Sequence, residues 1–100
     1  MPNYIILLNF TEHGIRNVKD TINRAEAFKK AVEKAGGKFL SEYYTFGRYD
    51  IVTTVEVPSD ESMMSIMLHA GRLGNVRSET MKAIPMHEAG KIIEYTMLVK

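Results

Sequence analysis

The sequence of 100 residues has no cysteine, no excess of either charge and no long apolar run. Without cysteine, disulfide bonds and thiolate metal sites are excluded. Thirteen Lys and Arg against twelve Asp and Glu leave a formal charge of +1, whereas nucleic-acid-binding proteins normally carry a basic excess or stripe. The start, Met1-Pro2-Asn3, has neither the basic nor the apolar segment of a signal peptide, and no run approaches the roughly 20 apolar residues of a membrane helix. We therefore expect a cytoplasmic protein that binds neither nucleic acid nor membrane.

The length of the chain fits one domain that buries only a modest part of its surface. Small domains usually gain further stability from disulfides, metal ions or oligomerisation. Because disulfides are excluded here, we expect a homodimer or a higher homo-oligomer.

The first third of the chain predicts a strand and then a helix. Residues 3–10 are apolar in both alternating sets, which is typical of a central strand that is buried on both faces. A polar connection over residues 11–20 follows, and Asp20 or Thr21 is expected to cap the next helix. That helix has an apolar stripe at helical spacing, formed by Ile22, Ala25, Phe28, Val32 and Ala35. Gly36-Gly37 ends it.

Two runs rich in aromatic and β-branched residues, 38–46 and 49–57, predict a hairpin. A two-residue type II′ turn at Gly47-Arg48 would join them. That turn places Tyr44 opposite Ile51 and Leu40 opposite Val55, on an apolar face. The other face would be mixed, as in a sheet that lines a ligand or a second subunit, and would carry Phe39, Ser41, Tyr43, Thr45, Asp50, Val52, Thr54 and Glu56.

The second half predicts a helix, an edge strand and a further helix. Ser59 is a good N-cap, and two acidic residues follow it in the first turn. The buried stripe of this helix would be Met63, Ile66, Met67, Ala70 and Leu73. Residues 76–84 are more polar and predict an edge strand, and residues 87–98 predict a last helix with Ile92, Tyr95 and Val99 on one side.

The order of these elements is the βαββαβ of an α+β ferredoxin-like fold. Two helices would cover one face of a four-stranded antiparallel sheet and leave the other face bare. Because the first strand is apolar on both faces, we expect a second copy to pack there as an isologous dimer. A third layer from the C-terminal tail is the alternative. The predicted division is a domain over residues 1–84 and a helical extension over residues 85–100.

Four segments of the chain resemble the GYD domain family, in the same order and spacing over roughly residues 1–84. They are Met1-Pro2-x-Tyr4, Asn9-Phe10-Thr11-Glu12-x-Gly14-Ile15, Tyr44-Thr45-Phe46-Gly47-Arg48-Tyr49-Asp50 and Leu73-Gly74-Asn75-Val76-Arg77-x-Glu79-Thr80. The resemblance implies a dimeric α/β barrel, in which two ferredoxin-like sheets face each other. It implies no particular activity, because none is assigned to the family.

The turn Arg48-Tyr49-Asp50 is the densest group of functional side chains in the sequence. Arg48 could hold a carboxylate by a bidentate fork, and Asp50, the candidate catalytic residue, could accept a proton. With Tyr43 and Arg77, the turn could line a site for a small polar or aromatic ligand. The competing interpretation is structural, with Asp50 hydrogen-bonded to local backbone and the charges of the edge strand preventing aggregation.

The sequence predicts neither a metal site nor a cofactor. His13, His69 and His87 lack close ligand spacing, and metal sites need converging ligands. Three functions stay open: a small-molecule-binding or regulatory homodimer, a cofactor-free enzyme of the oxygenase or isomerase type, and a structural interaction module. The enzyme alternative rests on fold analogy alone, and one fold supports many chemistries.

Overall fold

The computed structural model describes residues 1–99 of the chain. Within them lie four strands, four α-helices and one 3-10 turn. The elements are β1 (Asn3–Phe10), α1 (Glu12–Arg16), a 3-10 turn (Val18–Asp20), α2 (Thr21–Lys34), β2 (Lys38–Tyr44), β3 (Ile51–Glu56), α3 (Asp60–Arg72), β4 (Val76–Ala83) and α4 (Met86–Leu98).

The four strands form one antiparallel sheet in the order β2-β3-β1-β4. β1 is central, as its apolar pattern predicted, and β4 lies at an edge. The ferredoxin-like α+β fold is therefore confirmed, including the C-terminal helix.

One face of the sheet packs against α2 and α3 and forms the core. Alternate residues of β1 and β3 point to this face, as the period of two in a strand requires. The core consists of Tyr4, Ile6, Leu8, Val32, Ile51, Val55, Val57 and Met63. The start of α3 is capped as predicted, because the Ser59 hydroxyl accepts a hydrogen bond of 3.1 Å from the Ser62 N–H.

The connection before α2 contains more structure than the sequence predicted. Residues 12–16 form α1, which Thr11 caps by accepting a 3.0 Å hydrogen bond from the Gly14 N–H. Asp20 occupies the N-cap position of α2 but makes no side-chain capping bond there. Helix α2 therefore starts from the end of the 3-10 turn, and its predicted side-chain cap is wrong.

The β2–β3 loop differs from the predicted two-residue turn. Tyr44 pairs with Ile51 as expected, but the Thr45 N–H donates to the Asp50 carbonyl at 2.8 Å, so the loop spans residues 46–49. Its glycine, Gly47, has a φ of +117°. The Asp50 N–H donates to the Leu8 carbonyl at 2.9 Å. This bond fixes the end of the loop to β1, whereas a tight two-residue turn would pair β2 and β3 with each other up to Phe46 and Tyr49.

A β-bulge in β2 changes which residues reach the core. Phe39, and not Leu40, lies opposite Val55, because the register shifts between Phe39 and Ser41. Phe39 therefore packs edge-on against Phe28, with ring centroids 6.2 Å apart, and Leu40 is exposed. The predicted position of Phe39 on the mixed face is wrong for this reason.

The opposite face of the sheet, called here the open face, is not covered by the rest of residues 1–99. Its residues include Ile5, Leu7, Ser41, Tyr43, Val52, Thr54, Arg77, Glu79 and Met81. Tyr43 and Met81 are exposed, and α4 buries none of its side chains. The alternative of a third layer formed by the C-terminal tail is therefore wrong. In the described part of the chain, no helix is both long and apolar enough to cross a membrane.

Candidate functional site

The carboxylate of Asp50, the candidate catalytic residue, is bonded to the backbone. One of its oxygens, Oδ2, accepts a hydrogen bond of 2.9 Å from the main-chain N–H of Phe10. The Asp50 N–H donates in turn to the carbonyl of Leu8. Asp50 thereby ties the β2–β3 loop to the end of β1. Of the two roles considered for Asp50 from the sequence, catalytic and structural, these bonds show a structural one.

Arg48 and Tyr49 form a small group with Glu79 at one end of the open face. The guanidinium carbon of Arg48 lies 5.8 Å from the centroid of the Tyr49 ring. The Tyr49 hydroxyl donates to a carboxylate oxygen of Glu79 on β4 at 3.3 Å. The loop therefore reaches from β3 past β1 to the edge strand, where Tyr49 contacts a charged side chain.

Tyr43 and Arg77 lie on the open face but at opposite edges of the sheet. Tyr43 is on β2 and Arg77 is on β4, with β3 and β1 between them. At a strand spacing of about 4.8 Å, the two strands are roughly 14 Å apart. The structure thus groups Arg48 with Tyr49 and separates Tyr43 from Arg77. A shared ligand site for these residues stays a prediction.

Three of the segments that resemble the GYD family meet at one corner of the molecule. The Thr11 N–H donates to the Asn75 carbonyl at 3.1 Å, and the Thr11 hydroxyl donates to the Gly74 carbonyl at 2.6 Å. A Cβ on Gly14 would overlap the carbonyl oxygen of Asn75. Because Asp50 binds the neighbouring Phe10 at the same corner, these motif residues hold β1, β3 and the α3–β4 connection together.

A second candidate site lies on the other side of the sheet, between α2 and α3. It is a cavity of about 290 Å³, called here the interhelical cavity. Its walls are mostly apolar and include Phe28 and Ile66. At its floor, the hydroxyl of Thr53 donates to a carboxylate oxygen of Glu42 at 2.9 Å. Thr53 is 1% exposed, so this polar pair sits within the core layer.

The rim of the interhelical cavity carries a neutral tyrosine. The Tyr44 hydroxyl shares a 3.0 Å hydrogen bond with the hydroxyl of Thr21. Burial is the main cause that raises the pKa of Tyr44 above its ordinary value, and Glu42 adds to it. Tyr44 therefore stays protonated at neutral pH and can both donate and accept a hydrogen bond.

The sequence alone did not predict the interhelical cavity, although one signal for it was present. In β3 and directly after it, the alternate residues on the core side of the sheet are Ile51, Thr53, Val55 and Val57. A threonine among these buried apolar positions needs a polar partner, and Glu42 on the neighbouring strand provides it. The empty volume itself depends on how far apart the helices pack, which local sequence does not encode.

The histidines do not converge. His13, His69 and His87 belong to three different helices. Over residues 1–99, no group of three His, Cys, Asp or Glu side chains could hold a metal ion.

The chain is similar to known proteins in both sequence and fold. It matches the GYD domain over residues 4–93. The chain belongs to the GYD domain family. The matched part extends past residue 84 into α4, beyond the four segments that resemble the family.

A curated relative of this GYD domain chain comes from Thermus thermophilus. It is named glutamine synthetase and cystathionine beta-lyase binding protein, and it is 29% identical over 87 residues. The match covers 86% of this chain and 92% of the relative.

Solved structures share the fold at lower sequence identity. MtbAldR matches with a TM-score of 0.66 and 14% identity. The match covers 86% of this GYD domain chain and 53% of MtbAldR, so the chain spans about half the length of that protein. A solved protein from Thermus thermophilus gives a TM-score of 0.52 and 21% identity, with coverage of 85% and 95%. A hypothetical protein from Pyrococcus horikoshii gives a TM-score of 0.55 and 18% identity, and the match covers 87% of this chain and 94% of that protein.

Proposed function

We propose that this GYD domain chain is a homodimeric regulatory module in which two copies pack open face to open face. The observation that carries the proposal is the apolar centre of the open face, which the rest of residues 1–99 leaves uncovered. Ile5 and Leu7 lie on the central strand β1, beside Val52 on β3. A second copy is the simplest cover for this surface, because an isologous contact needs only one self-complementary patch.

The distribution of polar side chains on the open face fits this arrangement. Arg77 and Glu79 lie on the edge strand β4, and Tyr49 reaches Glu79 from the loop. Protein interfaces commonly have an apolar centre and a polar rim. The open face has a similar plan, because its apolar centre lies on β1 and β3 and the charges of Arg77 and Glu79 lie on the edge strand β4.

The size of the open face indicates that α4 also contributes to the dimer. Four strands of up to eight residues measure roughly 19 Å by 26 Å, which is about 500 Å² in plan. Stable interfaces bury about 800 Å² per partner, so further area is needed. Helix α4 offers exposed apolar side chains for it, among them Ile92, Ile93, Tyr95, Met97 and Leu98. Because an isolated helix of 13 residues is marginal in water, contact with a second copy would also stabilise α4.

The name of the Thermus relative supports a role that is exerted through other proteins. That relative is named for binding two enzymes, and we propose that this chain likewise regulates partner proteins by binding them. The enzyme alternative receives less support, because the carboxylate of Asp50 is bonded to the Phe10 N–H.

The dimer is tested by light scattering on Leu7→Lys. In a separate chain, the introduced ammonium would lie beside Glu79, which pairs with Leu7 in the sheet, so the variant should stay folded. In the dimer, two such ammonium groups would be buried at the interface, and we expect the mass to fall to that of one chain. The matched control is Ile22→Lys, at an exposed position of α2, which should leave the mass unchanged. A monomeric wild-type protein, or equal masses for both variants, would contradict the proposal.

The partner role is tested separately with purified glutamine synthetase and cystathionine beta-lyase from the organism that encodes this chain. Saturable binding of the wild-type protein to either enzyme in biolayer interferometry would support it. Absence of binding to both would remove the link to the Thermus relative and leave the dimer proposal intact.

A further inference from the structure

We propose that the interhelical cavity binds a small arylalkyl amine, an aromatic ring that carries a short alkylammonium chain, with Glu42 as the partner of the ammonium group. The site lies on the helix side of the sheet and within a single chain. It is therefore independent of the proposed dimer, and either proposal can fail without the other.

The volume of the cavity is the first argument for a ligand. Protein interiors are packed as densely as organic crystals, with few voids larger than a water molecule. The space here opens to solvent at its rim, and its volume of about 290 Å³ is close to the lower limit of known ligand pockets. The space exists because both helices turn alanines towards it, Ala31 on α2 and Ala70 on α3.

The walls of the cavity favour a flat apolar body. Phe28 from α2, Ile66 from α3 and Ile51 from β3 line it, and Tyr44 adds a second aromatic ring at the rim. Aromatic rings in such surroundings gain both buried area and edge or face contacts with neighbouring rings.

Glu42 determines the charge that the cavity prefers. One of its oxygens accepts the hydrogen bond from Thr53, and among residues 1–99 no cationic side chain forms a salt bridge with it. A carboxylate at the edge of an apolar space attracts a cation more strongly than it would in water, because the effective dielectric constant is lower. An ammonium group would complete the partners of Glu42 through a charge-assisted hydrogen bond.

Arg24 also borders the cavity, but each of its two terminal nitrogens already donates one hydrogen bond to the backbone. Its two terminal nitrogens donate to the carbonyls of Asn17 at 2.9 Å and Gly14 at 3.3 Å. The guanidinium is thereby tied to the end of α1 and the turn that follows. It is less available than the Glu42 carboxylate for a ligand, which favours an amine over a carboxylic acid.

The test is an NMR titration of the ¹⁵N-labelled full chain with two probes that share one ring system, tryptamine and indole-3-propionate. We expect tryptamine to shift amide signals around the cavity, in β3 and the facing turns of α2 and α3. Its affinity should exceed that of indole-3-propionate about tenfold, which corresponds to about 1.4 kcal/mol.

Two variants identify the residues responsible. Glu42→Gln keeps the side-chain shape and an acceptor for Thr53 but removes the charge, so the preference for tryptamine should disappear. The control Glu26→Gln, at an exposed position of α2 outside the cavity, should preserve it. Ala70→Phe should fill the space and weaken both probes, with the amide spectrum reporting whether the fold is intact.

Three results would overturn the proposal. The first is equal affinity for the two probes in the wild-type protein, and the second is an unchanged preference for tryptamine in Glu42→Gln. The third is the absence of any shift around the cavity at probe concentrations that saturate ordinary amine sites.

Discussion

The carboxylate of Asp50 accepts a 2.9 Å hydrogen bond from the backbone N–H of Phe10, forty residues earlier in the chain. This bond joins the loop that carries the Gly47–Asp50 signature to the end of the central strand. The signature of the family is therefore, at this position, a structural connection between β1 and β3.

Replacing Asp50 should affect stability according to the acceptor that remains. We expect Asp50→Ala to lower the free energy of unfolding by about 1–3 kcal/mol, because the Phe10 N–H would lose its partner. Asp50→Asn keeps a side-chain oxygen and should lose less. Urea unfolding followed by circular dichroism measures both. Equal losses for the two variants would show that the charge matters and not the hydrogen bond.

Two glycines should respond in opposite directions to the same substitution. In Gly14→Ala, the added methyl group would collide with the Asn75 carbonyl, and overpacking of this kind costs about 1–3 kcal/mol or more. In Gly71→Ala, the methyl group meets no atom within 4 Å, and Gly71 lies within α3. Alanine there should stabilise the helix by about 0.5–1 kcal/mol. Thermal unfolding of both variants measures whether stability falls for Gly14→Ala and rises for Gly71→Ala. An unchanged stability of Gly14→Ala would contradict the tight contact with Asn75.

The pH dependence of stability should reveal the Tyr4–Asp60 pair. The Tyr4 hydroxyl donates to Asp60, and burial, aided by that carboxylate, raises the pKa of Tyr4 to about 12. The folded state thus favours the neutral hydroxyl. Its contribution should be complete below a pH of about 10 and should be lost as the pH rises towards 12.

At low pH, Asp60 changes the stability in the opposite direction, because its contribution is lost as the pH falls. The hydrogen bond from Tyr4, and then that from Lys82, holds the pKa of Asp60 below its ordinary value of 3.8. That contribution should be present above pH 3.8 and lost as the pH falls below it. Urea midpoints of Tyr4→Phe should therefore fall less than those of the wild type at both extremes. Parallel curves for the wild type and Tyr4→Phe would contradict the assignment.

The division of the chain at residue 84 is a proposal that a truncation can test. Because α4 buries none of its side chains, a chain ending at Ile84 should keep the fold of the sheet and its helices. Its thermal unfolding should stay cooperative, while its self-association should weaken. Loss of cooperative unfolding would show that α4 is part of the folding unit.

The sequence predicted the fold well because strong local patterns determine it. The two apolar sets of β1 indicated a central strand, and Ser59 marked the start of α3. The bulge between Phe39 and Ser41 was missed, since a single extra residue leaves no clear trace in an alternating pattern. The loop of residues 46–49 was missed because Gly47-Arg48 also fits a tight turn, and only the bonds of Asp50 to β1 exclude it.

The candidate sites were less predictable than the fold. The proximity of Tyr49 and Glu79 depends on how far the loop reaches across the sheet, and the turn alone does not fix it. The pairing of Glu42 with Thr53 requires the exact register of β2 and β3. The interhelical cavity requires the spacing of two helices, which results from the packing of the entire core.

The central claim is that the open faces of two copies meet, and intermolecular NOEs test it most directly. A mixture of ¹³C-labelled and unlabelled chains, studied with isotope-filtered spectra, reports only contacts between copies. We predict NOEs from the methyl groups of Ile5, Leu7 and Val52 to the unlabelled chain, and none from Ile22 on the outer side of α2. NOEs from Ile22 without any from these three residues, or no intermolecular NOE at all, would contradict the account.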